Sequence, residues 1–323
     1  MIVVTGGAGF IGGNLVHELN RRGETDILIV DNLAPNPRLF GPKFPNLARA
    51  RFADFMDKAE FRNAVSKGSL PSSRIKAILH QGACCDTLED DGRYMMDNNF
   101  VYSKELLEYA LANHIPFVYA SSAAVYGASE TFKEDPLNED PLNIYGFSKL
   151  VFDNYVRRRV MSNDSTVIGL RYFNVYGPRE QHKGRMASMI HQLIVQLQRS
   201  GTIRIFEGSG KYGDGEQRRD FVFVGDIVKI NLFFADGPVR HGILNAGTGQ
   251  SKSFNDVACA LKNIHGGGRV EYIPFPERLK ARYQSFTEAD IANLRATGYT
   301  EQFTSLNDGI NQTLLSEKAT TGS

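Results

Sequence analysis

Three features of the sequence predict an α/β fold: a doubly wound parallel sheet with a smaller, interleaved α/β domain beside it. Short apolar runs alternate with helical stretches through the first half of the chain, the pattern of a parallel sheet covered by helices on both faces. The first run, Ile2-Val3-Val4, leads straight into a glycine loop and then a helix reaching about Arg22. Polar residues recur just past the end of run after run, which is where open α/β sheets bind their ligands.

Taken in order, strands are expected near 2–4, 27–30, 50–52, 77–79, 117–120 and 167–170, with helices at about 91–113 and 145–159. The glycine loop follows the first strand and Asp31 ends the second. Asp54 follows the third, Gln81-Gly82-Ala83 the fourth, Ser121-Ser122 the fifth and Asn174 the sixth. Past about residue 173 the alternation is lost. Residues 220–224 and 243–247 are expected to be strands that return to the main sheet or its edge. The division that follows is a dinucleotide-binding domain at 1–172, with return segments near 220–250, and a mainly substrate-binding domain at 173–323. There is no internal repeat, and residues after Leu315 read as a frayed tail.

Thr5-Gly6-Gly7-Ala8-Gly9-Phe10-Ile11-Gly12 contains Gly7, Gly9 and Gly12 at G-x-G-x-x-G spacing, and Gly6, Gly9 and Gly12 at a second admissible spacing. Such glycines permit a tight turn, close approach of a pyrophosphate to the backbone, and helix–strand packing, while the helix N-terminus faces the negative charge. The strand before, the helix after, and Asp31 at the end of the second strand, 19 residues beyond Gly12, supply the context of a Rossmann dinucleotide site, where about 20 is expected.

At 323 residues the chain is long enough for one large or two intimate domains. The balance of 37 basic against 36 acidic side chains gives no electrostatic case for nucleic acid or a membrane surface. No stretch approaches the roughly 18 apolar residues needed to span a bilayer. The opening residues are expected to be a strand in use, which argues against a cleaved leader. Cys84, Cys85 and Cys259 lack metal or disulfide spacing and suit a reducing cytoplasm, with no metal site.

Asn143-Ile144-Tyr145-Gly146-Phe147-Ser148-Lys149 places Tyr145 and Lys149 one helical turn apart on one face. A tyrosine hydroxyl is a poor base at neutral pH, and a nearby ammonium is expected to lower its pKa towards acid/base work. Ala120-Ser121-Ser122-Ala123-Ala124-Val125-Tyr126-Gly127 precedes the pair. With the glycine loop, these point to redox chemistry on a nicotinamide cofactor.

These residues resemble the extended short-chain dehydrogenase/reductase family of nucleotide-sugar epimerases and dehydratases. The resemblance covers nearly the whole chain. It is strongest to the members that epimerise carbon 6 of an ADP-linked heptose for the lipopolysaccharide core. The carrying segments include Tyr94-Met95-Met96-Asp97-Asn98-Asn99, Arg171-Tyr172-Phe173-Asn174-Val175-Tyr176-Gly177-Pro178-Arg179-Glu180 with His182-Lys183-Gly184, and Glu271-Tyr272-Ile273-Pro274-Phe275-Pro276. For the cofactor, the resemblance implies Gly6, Gly9, Phe10, Ile11 and Gly12, then Asp31, Asn32, Lys43 and Lys58. Gln81, Gly82, Ala83, Cys84, Cys85, Asn98, Lys149 and Val175 complete that set. It further implies Tyr145 and Lys183 as two acid/base groups, Lys149 as the group that tunes Tyr145, and Ser122 as partner of the substrate oxygen. Asn174, Arg185, Gln192, Phe206, Glu207, Gly208, Ser209, Arg219 and Tyr283 would hold the ADP-sugar. Gln81, Cys85, Arg185 and Gln192 depart from the family's residues at their positions. A homo-oligomer, a pentamer, is implied as well.

Asp31 normally accepts a ribose 2′-hydroxyl and so argues for NAD. The family implies NADP, and Lys43 and Lys58 could offset the charge; NADP is favoured, with NAD as the alternative. Direct proton loss from an unactivated carbinol would leave an unstabilised carbanion. Oxidation to a ketone followed by hydride return to the other face avoids it and consumes no external oxidant. A 4-epimerase or 4,6-dehydratase is the competing enzyme, although a dehydratase is expected to carry Asp and Glu where this chain has Ala123 and Ala124. A cofactor-bound regulatory module is the competing non-enzyme, opposed by the intact Ser122, Tyr145 and Lys149.

Overall fold

A computed structural model describes residues 1–33, 41–160, 165–276 and 284–321. Six strands of the main sheet follow one another along the chain: β1 (Ile2–Thr5), β2 (Ile27–Asp31), β3 (Asp54–Asp57), β4 (Ala77–His80), β5 (Phe117–Ser122) and β6 (Val167–Tyr172). They are short and, except for β3, almost wholly buried, as expected of strands covered on both faces. After β6 come β7 (Asn174–Tyr176), β8 (Thr202–Phe206), β9 (Arg218–Arg219), β10 (Phe221–Phe223) and β11 (His241–Ala246), then β12 (Lys252–Ser253) and β13 (Arg269–Ile273).

The main sheet has seven strands in the order β11-β6-β5-β4-β1-β2-β3, all paired in parallel. The order reverses between β1 and β4, the switch point at which such sheets open a crevice. α1 (Phe10–Arg21), α2 (Lys58–Ser66), α3 (Gly92–Met96), α4 (Tyr102–Ala112) and α5 (Ile144–Arg159) belong to the first half; α6 (Met189–Ser200), α7 (Val224–Ala235) and α8 (Phe254–His265) to the second. Two apolar cores sandwich the sheet, one holding Leu15, Val16, Ile227 and Ile230 from α1 and α7, the other Phe61, Leu106, Leu107 and Phe152 from α2, α4 and α5. A third, around Leu193, Leu197, Val257 and Leu261, joins α6 to α8.

Three expectations need correction. The third strand is Asp54–Asp57, not 50–52, so Asp54 begins it; the register Leu28↔Asp54 and Val30↔Met56 pairs Phe55 and Met56 with β2, while Arg51 and Phe52 are exposed. The helix expected at 91–113 is interrupted by a wider, π-helical turn at Asp97–Val101. Of the two return strands, β11 joins the edge of the main sheet beside β6, whereas β10 pairs with β7 in a separate two-stranded sheet. β11 already occupies the free edge of β6, so β10 pairs with the chain beyond it. No described helix is long and apolar enough to cross a membrane.

Candidate active site

At the switch point lies a cavity of about 810 Å³. Its floor is the glycine loop. A Cβ on Gly12 would sit 2.1 Å from the Gly6 carbonyl oxygen, so only glycine lets α1 begin this close to the loop. Asp31 closes one end: Oδ2 accepts from Ala8 N–H at 2.8 Å and Oδ1 from Asn32 N–H at 2.6 Å, and Lys43 forms an ion pair with it. Lys58 donates to Asn98 Oδ1 at 2.5 Å; burial, with Arg62 nearby, pushes its ammonium pKa down.

The other end is built by β5 and α5. Asn143 caps α5, its Oδ1 accepting from Gly146 N–H at 2.8 Å. A Cβ on Gly146 would lie 2.6 Å from the Ala124 carbonyl oxygen, so glycine here lets the helix start against the turn that follows Ser122. The contact places Tyr145 beside Ser122, whose hydrogen bond favours the phenolate; burial outweighs it and pushes the Tyr145 pKa well above its ordinary value. Lys149 is buried, and Nζ donates to the Ala120 carbonyl at 2.7 Å. Burial lowers its pKa to about 8, opposed by the charge of Asp153. The expected lowering of Tyr145 by Lys149 is therefore not the controlling effect. Desolvation of the hydroxyl is.

Lys183 reaches the cavity from a short irregular helix, Gln181–Met186. Its Nζ lies 3.4 Å from Glu180 Oε2 and 4.9 Å from the centre of the Phe10 ring. His182 beside it accepts from Asn46 Nδ2 at 3.2 Å, and burial with Lys183 and Lys43 nearby holds its pKa near about 4.

The cavity wall includes every residue expected at the cofactor, from Gly6 to Val175, together with Ser122, Tyr145 and Lys183. Gln81 turns its side chain to Tyr172 and Asn231, at 3.0 Å from each. The residues expected at the substrate lie elsewhere. Arg185 stands at the rim, 3.3 Å from Asp86, and Gln192 donates to the Ala187 carbonyl at the start of α6. Phe206 packs on Phe275, and Glu207 and Gly208 turn the chain beyond β8, bonded to Ile273 and Asp214. Ser209 reaches Ser285 at 3.5 Å, Arg218 next to the buried Arg219 bonds the Ser285 carbonyl, and Asn174 accepts from Thr287. These contacts converge on 285–287. Tyr283 falls outside the described residues.

The sequence reading missed three polar groups. Asn99, in the π-helical turn, bonds Cys84 through both N–H and carbonyl and donates to Ser148 at 3.0 Å, tying the loop after β4 to α5. His80 is buried between Thr5 and Ser103. Ser103 donates to the Asn99 carbonyl, so His80 Nε2 donates to Ser103 and Nδ1 accepts from Thr5. Glu180 is the third. An Asn-Asn doublet inside a helical pattern was the one visible hint of such a network.

The cradle at Gly12 and the carboxylate fixed by Ala8 and Asn32 fit a dinucleotide. Residues 2–247 match the NAD dependent epimerase/dehydratase family. The chain belongs to this family. It is 54% identical over 312 residues, 96% of this chain and 95% of the relative, to the ADP-L-glycero-D-manno-heptose-6-epimerase of Alkalilimnicola ehrlichii. Its fold matches the crystal structure of the Helicobacter pylori ADP-L-glycero-D-manno-heptose-6-epimerase with a TM-score of 0.83 and 33% identity, covering 97% of this chain and 94% of that one. The UDP-glucuronic acid 4-epimerase of Bacillus cereus, in complex with UDP-glucuronic acid and NAD, matches with a TM-score of 0.78 and 25% identity over 98% of this chain and 99% of that one.

Proposed function

We propose that the protein epimerises carbon 6 of ADP-D-glycero-D-manno-heptose to the L-glycero form. The observation that carries this reading is Lys183 lining the same cavity as Ser122, Tyr145 and Lys149, in a chain 54% identical to a heptose 6-epimerase along almost its entire length. Gly6, Gly9 and Gly12 would hold the pyrophosphate, Asp31 and Lys43 the adenosine ribose, and Lys149 the nicotinamide ribose. A dinucleotide held there would supply the redox chemistry, taking hydride from carbon 6 and giving it back to the ketone.

The protein's own part is proton handling. Tyr145 moves a proton at the carbon 6 oxygen while Ser122 fixes that oxygen. The two faces of one planar ketone call for two sugar poses, and Lys183 handles the proton in the second. Asn174, Ser209 and Arg219, gathered near 285–287, would hold the nucleotide-sugar far from the reacting carbon. The paired charges of Asp31 and Lys43, with Lys58 close by, support NADP over NAD, because Lys43 offsets the carboxylate that would repel a 2′-phosphate. The same reading favours the two-domain division at 172/173, a cytoplasmic homo-oligomer and a pentameric assembly.

Proton NMR of ADP-D-glycero-D-manno-heptose incubated with the purified protein tests the reaction: the L-glycero epimer is expected without added cofactor. Unchanged substrate, with UDP-glucose converted to its 4-epimer instead, would reassign the enzyme. Mass spectrometry of released cofactor is expected to show NADP; NAD alone would remove that choice and leave the reaction standing.

A further inference from the structure

We infer that Glu180 is the positioning residue that holds Lys183 on the cavity wall; the inference rests on the reading of Lys183 as the second proton-handling group. Glu180 is fully buried, and a buried carboxylate is costly unless donors surround it. Its Oε1 accepts from Gly177 N–H at 3.1 Å and from the Ser188 hydroxyl at 2.8 Å. Oε2 accepts from Ser188 N–H at 2.7 Å and from Lys183 Nζ at 3.4 Å. The donors come from both ends of one stretch of chain, so a single side chain ties residue 177 to residue 188 and fixes the path between them.

That path is strained. Gly184 beyond Lys183 turns the chain at φ 51° with ψ −120°, which glycine accepts freely, whereas Arg179 has φ 76°, the left-handed region that residues other than glycine rarely adopt. Such backbone persists only where its surroundings over-determine it, and the four bonds to Glu180 do so here. Ser188 also caps α6, its Oγ accepting from His191 N–H at 3.2 Å, so the segment is anchored to a regular helix.

Lys183 gains two fixed neighbours from this arrangement, the Glu180 carboxylate and the face of Phe10. A lysine stem has four flexible carbons and would otherwise spread Nζ over many positions. Phe10 opens α1 directly behind the glycine loop, so the ammonium is held where the cofactor loop meets the segment that carries Lys183. Proton transfer needs its donor within hydrogen-bond reach, and misplacement by about 1 Å can cost around 10²-fold in rate.

The test is a double-mutant cycle on the holoenzyme, measuring kcat, KM and bound cofactor for wild type, Glu180→Gln, Lys183→Met and the double variant. Glu180→Gln is expected to lose about tenfold or more in kcat, with KM and cofactor content little changed. The double variant is expected to be no slower than Lys183→Met, since Glu180 acts through the lysine. Losses that multiply would make Glu180 a general structural residue and overturn the inference. So would a near-normal Glu180→Gln beside a crippled Lys183→Met. A near-normal Lys183→Met would instead remove the reading beneath the inference, and the inference with it. If Glu180→Gln does not fold, Ser188→Ala, which deletes only the hydroxyl donor, carries the same cycle. A few-fold loss that disappears in the Lys183→Met background supports the positioning role, and equal losses in both backgrounds contradict it.

Discussion

The two sides of the cavity are built on different principles. Ser122, Tyr145 and Lys149 stand on the end of a central strand and the first turns of a sixteen-residue helix, held by backbone hydrogen bonds and by core packing beneath α5. Lys183 stands on an irregular segment whose backbone is strained and whose shape depends on one buried carboxylate. The first side holds the Tyr145 hydroxyl against Ser122 on a rigid frame. The second gives a lysine with 18% of its side chain exposed, which in the proposed reaction would serve a sugar that has turned over. The proposed two-pose reaction would use this asymmetry: a constant reference and a group able to meet the alternative.

Tyr145→Phe should produce the largest loss. It keeps the ring and the packing and removes only the hydroxyl; acid/base groups typically contribute about 10²–10⁴-fold. Steady-state epimerisation checks this, and activity within a few-fold of wild type would exclude Tyr145 from the chemistry. Lys183→Met follows, with a loss of roughly 10²-fold or more and the bound cofactor retained, because methionine preserves much of the stem. Given an ADP-sugar with an aldehyde at carbon 6, this variant should lose most dismutation. Near-normal turnover would leave Tyr145 as the one base, with sugar rotation supplying the second face.

Gly12→Ala acts on the floor shared by both sides. Its Cβ would meet the Gly6 carbonyl oxygen at 2.1 Å and Gly7 Cα at 2.8 Å, all backbone atoms that move only with the loop. Destabilisation of about 1–3 kcal/mol and loss of co-purifying cofactor are expected, read by thermal unfolding and by absorbance of the released dinucleotide. The smallest effect is the pH dependence of stability. Burial holds His80 near about 3 and His182 near about 4, below the roughly 6.5 of an unfolded histidine. Between those values the unfolded chain binds more protons, so stability falls as pH drops from about 6.5. The melting temperature should decline between pH 7 and pH 5, and His80→Gln should flatten the decline.

The same contrast decided what the sequence could disclose. Alternating buried strands and the four-residue spacing of Tyr145 and Lys149 are periodic, so β1, β2, β4, β5, β6 and α5 were legible, as was the glycine loop. The third strand was misplaced because Ala50-Arg51-Phe52 and Phe55-Met56 each offer two apolar residues, and only pairing with β2 chooses between them. The pairing of β10 with β7 depends on β11 filling the sheet edge, a long-range competition without a local signature. Lys183 was legible only through family resemblance, since the Glu180 bonds that place it join residues up to eight apart in an aperiodic segment. The elevated pKa of Tyr145 was missed for a related reason: burial is a property of the folded site, whereas the Tyr-Lys spacing speaks only of a neighbouring charge.

The most direct test of the central claim uses ADP-D-glycero-D-manno-heptose carrying deuterium at carbon 6, converted in ordinary water and followed by NMR and mass spectrometry. The account requires the L-glycero product to keep its deuterium at carbon 6, because hydrogen leaves and returns as hydride while Tyr145 and Lys183 exchange only the proton on oxygen. Product that has lost the label to solvent would show direct deprotonation at carbon and contradict the account.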